Sequence, residues 1–209
     1  QIKNSFLNTL NYIKNNKEKN LQKKYYQIKK FNSQLKGNWF DIISLDTNVL
    51  HFLYSDKIIN IVKKYFKTSV VFSGRRHVNV FDDANDKLLN PHQETHQIAR
   101  DTIVLWAPLY DTGKLKGGLT VYKNSHKYGY FKHVKEKIKT LDKKWTKSYN
   151  HVEKRISSKF EKIDLNIKAG SVLLMNSKVL HCSYPTKKKG YVRMVLTERY
   201  SPLKKIPFL

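Results

Sequence analysis

Apolar residues recur at helical spacing through the first third of the chain. They repeat every three or four positions over residues 2–13 and 21–35, with a polar break at 15–20 and a stop at Gly37. Two further helices are predicted from their capping residues, which are Asp46 or Thr47 for the first and Ser55 for the second. Residues 1–66 are therefore predicted to be helical, although no element is assigned to residues 39–43.

From residue 68 the hydrophobic period changes to two, which is the period of a strand. Strands are predicted, in chain order, at 69–73, 77–81, 102–109, 119–122, 165–167, 171–176 and 191–200. Residues 130–163 differ, because lysines are dense there and Val134, Ile138, Leu141 and Trp145 recur at helical spacing. We therefore predict a helical insertion at 130–163 within a core of strands at 68–200.

Short strands that follow N-terminal helices favour an antiparallel sandwich or jelly roll. A length of 209 residues suits one domain with a full hydrophobic core, and 40% apolar residues argue for a folded chain. No apolar run reaches the length of a membrane span, and the start of the chain, at Gln1, lacks the apolar core of a signal peptide. A single cysteine, Cys182, excludes a disulfide framework within the chain and favours a reducing, cytoplasmic location.

The formal charge of +25 is the largest anomaly of composition. Such a charge can indicate an anionic partner, such as nucleic acid, a membrane surface or an acidic small molecule. Lys, Asn, Ile, Tyr and Phe are all plentiful, however, as an AT-rich coding sequence would produce, and the lysines are spread along the chain. We expect a solvated basic surface and a small-molecule substrate that can be anionic, rather than a nucleic-acid partner.

The stretch from His92 to His96 has the pattern of a metal site. On a strand, alternate side chains share one face, so His92, Glu94 and His96 would project together. Two histidines and one carboxylate on one face of a metal form the 2-His-1-carboxylate triad of non-haem Fe(II) oxygenases, which leaves positions for a co-substrate and O2. His181, after the apolar run 171–176, is the expected distal ligand, and His96 is a weaker candidate outside the first ligand set.

Arg193 comes after His181 in the chain and lies in the last predicted strand, where it shares a face with Val195 and Thr197. An arginine in so apolar a strand needs an anionic partner, and its planar fork suits a carboxylate. A 2-oxoacid that chelates the metal and carries a second carboxylate, namely 2-oxoglutarate, would satisfy both sites. An internal ion pair with Asp or Glu would also satisfy Arg193.

Four segments follow one another along the chain: His92-Gln93-Glu94, the glycine-led segment 117–126, the Ala-Gly-led segment 169–181, and His181-Cys182-Ser183 with Arg193. In this order they resemble the phytanoyl-CoA dioxygenase family of Fe(II)/2-oxoglutarate oxygenases. The chain departs from the family pattern in three places: Glu94 stands for the usual Asp, Lys123-Asn124 for Pro-Gly, and Ser171 for Asp. Asn124 tolerates left-handed backbone almost as glycine does, so the turn can survive.

The resemblance implies a mainly β fold, a double-stranded β-helix of the jelly-roll or cupin-like kind. It implies Fe(II) held by His92, Glu94 and His181, with Arg193 on the far carboxylate of 2-oxoglutarate. Ser183 and Gln93 match positions that contact this co-substrate in the family. The implied activity is a dioxygenase that hydroxylates or otherwise oxidises a small molecule with O2, and Ser125-His126 is then a structural turn.

Two other functions stay open on sequence alone. The same fold can serve as a metal- or ligand-binding module without turnover, and the charge alone would suit a nucleic-acid binder. The remaining histidines are isolated and are expected at the surface or in hydrogen bonds. Glu198 and Arg199 are expected to form a surface pair at the end of the last strand.

Overall fold

Five helices precede the first strand. The computed structural model describes residues 1–14, 17–30, 35–68, 71–73, 77–82, 90–94, 101–139 and 146–202. The helices are α1 (Ile2–Ile13), α2 (Leu21–Lys29), α3 (Leu35–Ser44), α4 (Thr47–Leu53) and α5 (Asp56–Phe66). The Asp46 carboxylate caps α4 by accepting from the backbone N–H groups of Asn48 and Val49, as predicted. Helix α3 occupies the stretch that the sequence left unassigned.

The apolar stripes of these helices meet in one cluster. Phe6 of α1, Tyr25 of α2 and Trp39 of α3 are each fully buried, and the Phe6 and Trp39 rings pack edge to face with centres 5.5 Å apart. Leu53 of α4 and Val62 of α5 are buried in the same cluster. The N-terminal helices therefore form one layer, whose inner face is covered by a sheet.

Of the ten strands in the described residues, eight form two antiparallel sheets. The strands are β1 (Val71–Ser73), β2 (His77–Phe81), β3 (Ile103–Pro108), β4 (Lys116–Tyr122), β5 (His133–Lys139), β6 (Thr146–Val152), β7 (Lys162–Leu165), β8 (Leu173–Asn176), β9 (His181–Thr186) and β10 (Arg193–Pro202), of which β5 and β6 pair only with each other. In the large sheet β10 pairs with β1 and β2 on one side and with β3 on the other, and β8 follows β3. The small sheet has the order β7-β4-β9.

Strand β10 is buried on both faces and separates two environments. Met194 and Leu196 belong to the cluster that contains the helices. Val195 instead packs with Trp106 of β3 and with Leu119 of the small sheet, so the two sheets face each other. The order of layers is helices, large sheet, small sheet, which confirms the predicted mainly β jelly-roll core with N-terminal helices.

The predicted helical insertion at 130–163 is wrong in its secondary structure. Strands β5 and β6 form an antiparallel hairpin, and the segment's helix, α6 (Lys154–Ser157), has four residues. Val134 and Ile138 are four residues apart, and this spacing places two side chains on one face of a helix but also on one face of a strand. The helical reading rested on an ambiguous spacing.

The turn after β4 keeps the geometry that the sequence predicted. Asn124 has φ +60° and ψ +4°, the left-handed conformation that asparagine tolerates. Ser125 is fully buried, donates its hydroxyl to the Tyr122 carbonyl at 2.7 Å and accepts the Leu180 amide at 2.9 Å. This serine therefore ties the turn to the strand that carries His181. Among the helices described, none is long and apolar enough to cross a bilayer.

Candidate metal and co-substrate site

One pair of backbone hydrogen bonds places His92 beside His181. Each amide donates to the other residue's carbonyl, at 2.9 and 3.0 Å, and the ring centres lie 4.4 Å apart. Residues 91–94 are not the full strand that was predicted, because His92 alone forms a bridge there. The Glu94 amide donates instead to the Ser177 carbonyl at 3.1 Å. The backbone nonetheless brings all three predicted ligands together.

The two imidazoles are oriented by the carbonyls behind them. His92 Nδ1 lies 2.8 Å from the Asn90 carbonyl oxygen, and His181 Nδ1 lies 2.9 Å from that of Val179. Each Nε2 therefore points toward Glu94 Oε1, at 4.0 Å for His92 and 3.6 Å for His181. One ligand atom from each of the three residues falls within 4.8 Å of the others, which is an arrangement that can hold a metal ion.

The electrostatics keep His92 and Glu94 in their metal-binding forms. Burial, followed by the neighbouring His181, lowers the pKa of His92 from 6.5 to about 4. Burial opposes ionisation of Glu94, but its hydrogen bond with His181 and the charge of Arg199 outweigh that effect and hold its pKa well below the ordinary range. At neutral pH His92 is a neutral imidazole and Glu94 a carboxylate, so neither must lose a proton to bind a cation.

Arg193 lies in the same cavity with its guanidinium almost completely buried. The group stacks 4.3 Å above the Phe81 ring and donates to the Gly118 carbonyl, the Tyr184 carbonyl and the Ser183 hydroxyl, at 2.5, 3.3 and 3.2 Å. Burial lowers its pKa to about 10, so it remains a cation at neutral pH. Within the described part of the chain no carboxylate pairs with Arg193, and its Nε has no hydrogen-bond partner.

Ser183 and Gln93 both line the cavity but make different contacts. Ser183 lies on β9 beside Arg193 and accepts its hydrogen bond. The carboxamide of Gln93 hydrogen-bonds to backbone groups: Nε2 donates to the carbonyls of Gly129 and Lys178, and Oε1 accepts from the Phe131 amide. Ser183 therefore lies beside the Arg193 guanidinium, whereas the side chain of Gln93 fastens the ligand segment to the loop before β5.

Arg199 is the site residue that sequence reasoning missed. It was predicted to form a surface pair with Glu198, but both are buried, and Arg199 Nη2 contacts Glu94 Oε1 and Oε2 at 3.2 and 3.3 Å. Glu198 points to the helix side, where the Tyr54 hydroxyl donates to it at 3.2 Å. The signal was present, since the period-two face that begins with Arg193 continues through residue 199.

A cavity of about 320 Å³ lies between the sheets and joins these groups. The triad, Arg193 and Arg199 all line it, and apolar walls come from Val104, Trp106, Leu119 and Met175. His96 lies outside the described residues, so its predicted supporting role stays a prediction. Of the isolated histidines, His51 and His126 are exposed, as expected.

Comparison with known proteins identifies the family of the chain. The model of the phytanoyl-CoA dioxygenase (PhyH) family matches residues 10–195, which is most of the chain. No curated protein matches the chain.

Solved structures share the fold at low sequence identity. EvdO2 from Micromonospora carbonacea var. aurantiaca, complexed with 2-oxoglutarate, has a TM-score of 0.57 at 11% identity and covers 77% of this chain. EctD from S. alaskensis, with 2-oxoglutarate and 5-hydroxyectoine, has 0.57 at 15% and covers 78%. The epimerase SnoN, with Fe3+, alpha ketoglutarate and nogalamycin RO, has 0.56 at 12% and covers 76%.

This chain spans 67% of EvdO2, 60% of SnoN and 55% of EctD, so parts of those proteins have no counterpart in it. At these identities the likeness establishes the fold and nothing about the substrate. The family match is of a different kind, because it extends over nearly the whole sequence and includes every residue of the triad and Arg193. On that match, the chain belongs to the phytanoyl-CoA dioxygenase family.

Proposed function

We propose that the chain is an Fe(II)- and 2-oxoglutarate-dependent dioxygenase that oxidises a small molecule. One observation carries the proposal. A single cavity contains two oriented imidazoles beside a carboxylate and, farther along the same wall, a buried arginine that no described carboxylate neutralises. The first group supplies the ligands of a non-haem iron site, and the second supplies a counter-charge for the far end of a 2-oxo-diacid.

The donor set fits iron and leaves room for a chelating co-substrate. His92, Glu94 and His181 would hold Fe(II) on one side, and the metal would supply the activation of O2 that this chemistry requires. The hydrogen bonds at both Nδ1 atoms fix which nitrogen faces the ion before it binds. EvdO2 was solved with 2-oxoglutarate, and SnoN with Fe3+ and alpha ketoglutarate, which supports iron and 2-oxoglutarate as the ligands proposed here.

Arg193 would bind the distal carboxylate of 2-oxoglutarate, with the Ser183 hydroxyl beside it. A buried guanidinium without a counter-charge is costly, and a ligand carboxylate would supply both charge and acceptors. Contacts with the Gly118 and Tyr184 carbonyls and the Phe81 ring fix the orientation of the fork before any ligand arrives. The apolar walls would keep water away from the reacting groups.

The lining favours a substrate whose reacting part is uncharged. On the cavity face of β2 the aromatic Phe81 lies beside Arg193, whereas Asn79 lies opposite Val195 and His77 opposite Thr197, toward the triad. In the described lining Arg199 pairs with Glu94 and Arg193 is the proposed partner of the co-substrate, and no lysine is present. The amide nitrogen of Asn79 donates to the Thr197 hydroxyl at 3.4 Å, so its carbonyl oxygen is placed to accept from a substrate hydroxyl or amide. The expectation of an anionic substrate gains no support from this cavity.

Succinate formation from 2-oxoglutarate tests the proposal directly. The wild type should form succinate only when Fe(II), O2 and 2-oxoglutarate are all present, and His92→Ala and His181→Ala should abolish it. His126→Ala, at an exposed histidine outside the cavity, is the matched control and should keep the wild-type rate. Metal binding without succinate formation, under a broad panel of candidate substrates, would instead indicate a binding module.

A further inference from the structure

We propose that Arg199 is a positioning residue for Glu94, and that the pair is the reason a glutamate rather than an aspartate can serve at this ligand position. The inference rests on the proposed metal site. It begins from a contact that the ligand set does not require: Arg199 Nη2 lies 3.2 Å from one oxygen of the Glu94 carboxylate and 3.3 Å from the other. Both side chains are 7% exposed.

The arginine is itself held from the opposite side. Its Nη1 donates to the Thr197 hydroxyl at 2.9 Å, and that hydroxyl donates onward to the His77 carbonyl at 3.2 Å. The guanidinium is therefore anchored to the backbone of β2 through Thr197. An anchored donor that contacts both oxygens restrains the carboxylate, whereas the backbone of Glu94 is held by the hydrogen bond from its amide to the Ser177 carbonyl.

The length of the side chain matters because the carboxylate must meet two demands. Glu94 Oε1 lies 3.6 Å from His181 Nε2, on the side where a metal would sit, while both oxygens stay within reach of Arg199. An aspartate on the same backbone is shorter by one carbon–carbon bond, roughly 1.5 Å. It could approach the imidazoles or the guanidinium but would lose the geometry that serves both.

Arg199 has two opposing effects on a bound cation. Its charge repels a divalent ion, while its hydrogen bonds hold the ligand in place. Residues that orient metal ligands typically change metal affinity by about 10–100-fold when removed. If orientation dominates, removal weakens binding; if charge dominates, removal strengthens it, so the sign of the effect decides between the two.

The experiment measures Co(II) affinity by titration and records the visible d–d spectrum of the Co(II) protein. Arg199→Met should weaken binding by about 10–100-fold and alter the spectrum, because the carboxylate loses its orientation. Arg199→Lys keeps a charged donor and should retain more of the affinity than Arg199→Met. Arg155→Met, at an arginine whose side chain is 78% exposed, is the matched control and should change neither quantity.

A double-mutant cycle tests the link to glutamate. Glu94→Asp should weaken Co(II) binding in the wild type, but should add little in the Arg199→Met background, because the pair has already been broken. Additive effects would overturn this link. If Arg199→Met lowers the yield of folded protein, Arg199→Gln, whose side chain is too short to reach Glu94 as the guanidinium does, replaces it in the same cycle.

The outcomes separate this inference from the proposed function. Wild-type protein that binds no Co(II) would overturn the metal site and the inference together. Wild-type protein that binds Co(II), with Arg199→Met binding as tightly or more tightly and with an unchanged spectrum, would overturn only the positioning role of Arg199.

Discussion

Two buried arginines on one face of β10 differ in how the protein compensates their charge. Arg199 is neutralised inside the protein, because its Nη2 contacts both oxygens of Glu94. Arg193 donates to two carbonyls and a hydroxyl and stacks on an aromatic ring, but no carboxylate of the described residues meets it. A buried charge without a counter-charge is costly, and this contrast is why we propose that Arg193, and not Arg199, binds a ligand carboxylate.

The contrast also divides the cavity wall into two ends. At the Arg199 end, the acidic partner is one of the three predicted metal ligands. At the Arg193 end, the neighbours are neutral acceptors that orient the guanidinium without satisfying its charge. Substitutions that affect one end should therefore change metal binding, and substitutions at the other should change co-substrate binding.

Arg193→Met should have the largest effect and should act on the co-substrate alone. Truncating one partner of a buried charge pair costs about 2–5 kcal/mol, so affinity for 2-oxoglutarate should fall roughly 30-fold or more. Calorimetry in the presence of Mn(II) measures this loss. 2-Oxobutyrate has the same 2-oxoacid head without the distal carboxylate, so its affinity should be little changed. An equal loss for both ligands would refute the assigned role of Arg193.

Acid should destabilise the metal-free protein through the triad end of the cavity. The pKa of His92 is about 4 in the folded chain and 6.5 ordinarily, so the unfolded chain takes up a proton first as pH falls. Stability present above pH 6.5 is therefore lost toward pH 4, by up to about 3 kcal/mol. Below pH 4.5 the lowered pKa of Glu94 in the folded chain causes a further loss of folding stability.

Urea unfolding at pH 7 and pH 5 isolates the contribution of His92. His92→Gln should reduce the difference between the two pH values, while His51→Gln, at an exposed histidine of α4, should leave it unchanged. A wild-type protein equally stable at both pH values would argue against a neutral, buried His92.

Ser183→Ala should produce a smaller effect at the Arg193 end. The hydroxyl accepts one hydrogen bond from Nη2 at 3.2 Å, and a hydrogen bond to a charged group contributes about 1.5–3 kcal/mol. At the lower end of that range, 2-oxoglutarate affinity should fall roughly 10-fold, with Co(II) affinity unchanged. A change in metal affinity instead would show that the two ends are not independent.

Thr197→Val should produce the smallest effect, and at the opposite end. The substitution keeps the shape of the side chain but removes the acceptor that anchors Arg199 Nη1. We expect Co(II) affinity to fall by a few-fold, about 1 kcal/mol, with 2-oxoglutarate binding by the metal-loaded protein preserved. Measuring both affinities on this variant and on Ser183→Ala would show whether the effects separate as the structure suggests.

Much of this arrangement was visible in the sequence because it rests on period-two alternation. The sequence placed Arg193, Val195 and Thr197 on one face of the last strand, and the structure confirms that face as the wall of the cavity. The same rule extended by two residues would have added Arg199. It was missed because an adjacent Glu198 and Arg199 look like a local ion pair, whereas neighbours on a strand point to opposite faces.

Other features depended on contacts between distant segments. The carboxamide of Gln93 meets backbone groups of Gly129, Phe131 and Lys178, and no local pattern signals such a set. The hairpin of β5 and β6 was mistaken for helix because a four-residue spacing fits both periods. Helix α3 was missed although Trp39 and Ile43, four residues apart, are both fully buried.

The most direct test of the central claim is anaerobic titration of the Fe(II) protein with 2-oxoglutarate, followed by the visible charge-transfer absorption that a 2-oxoacid gives when it chelates Fe(II). The account expects the band in the wild type, its absence in His181→Ala, and in Arg193→Met a band with 2-oxobutyrate but none with 2-oxoglutarate at a concentration that saturates the wild type. No band in the wild type, or an undiminished band in His181→Ala, would contradict it.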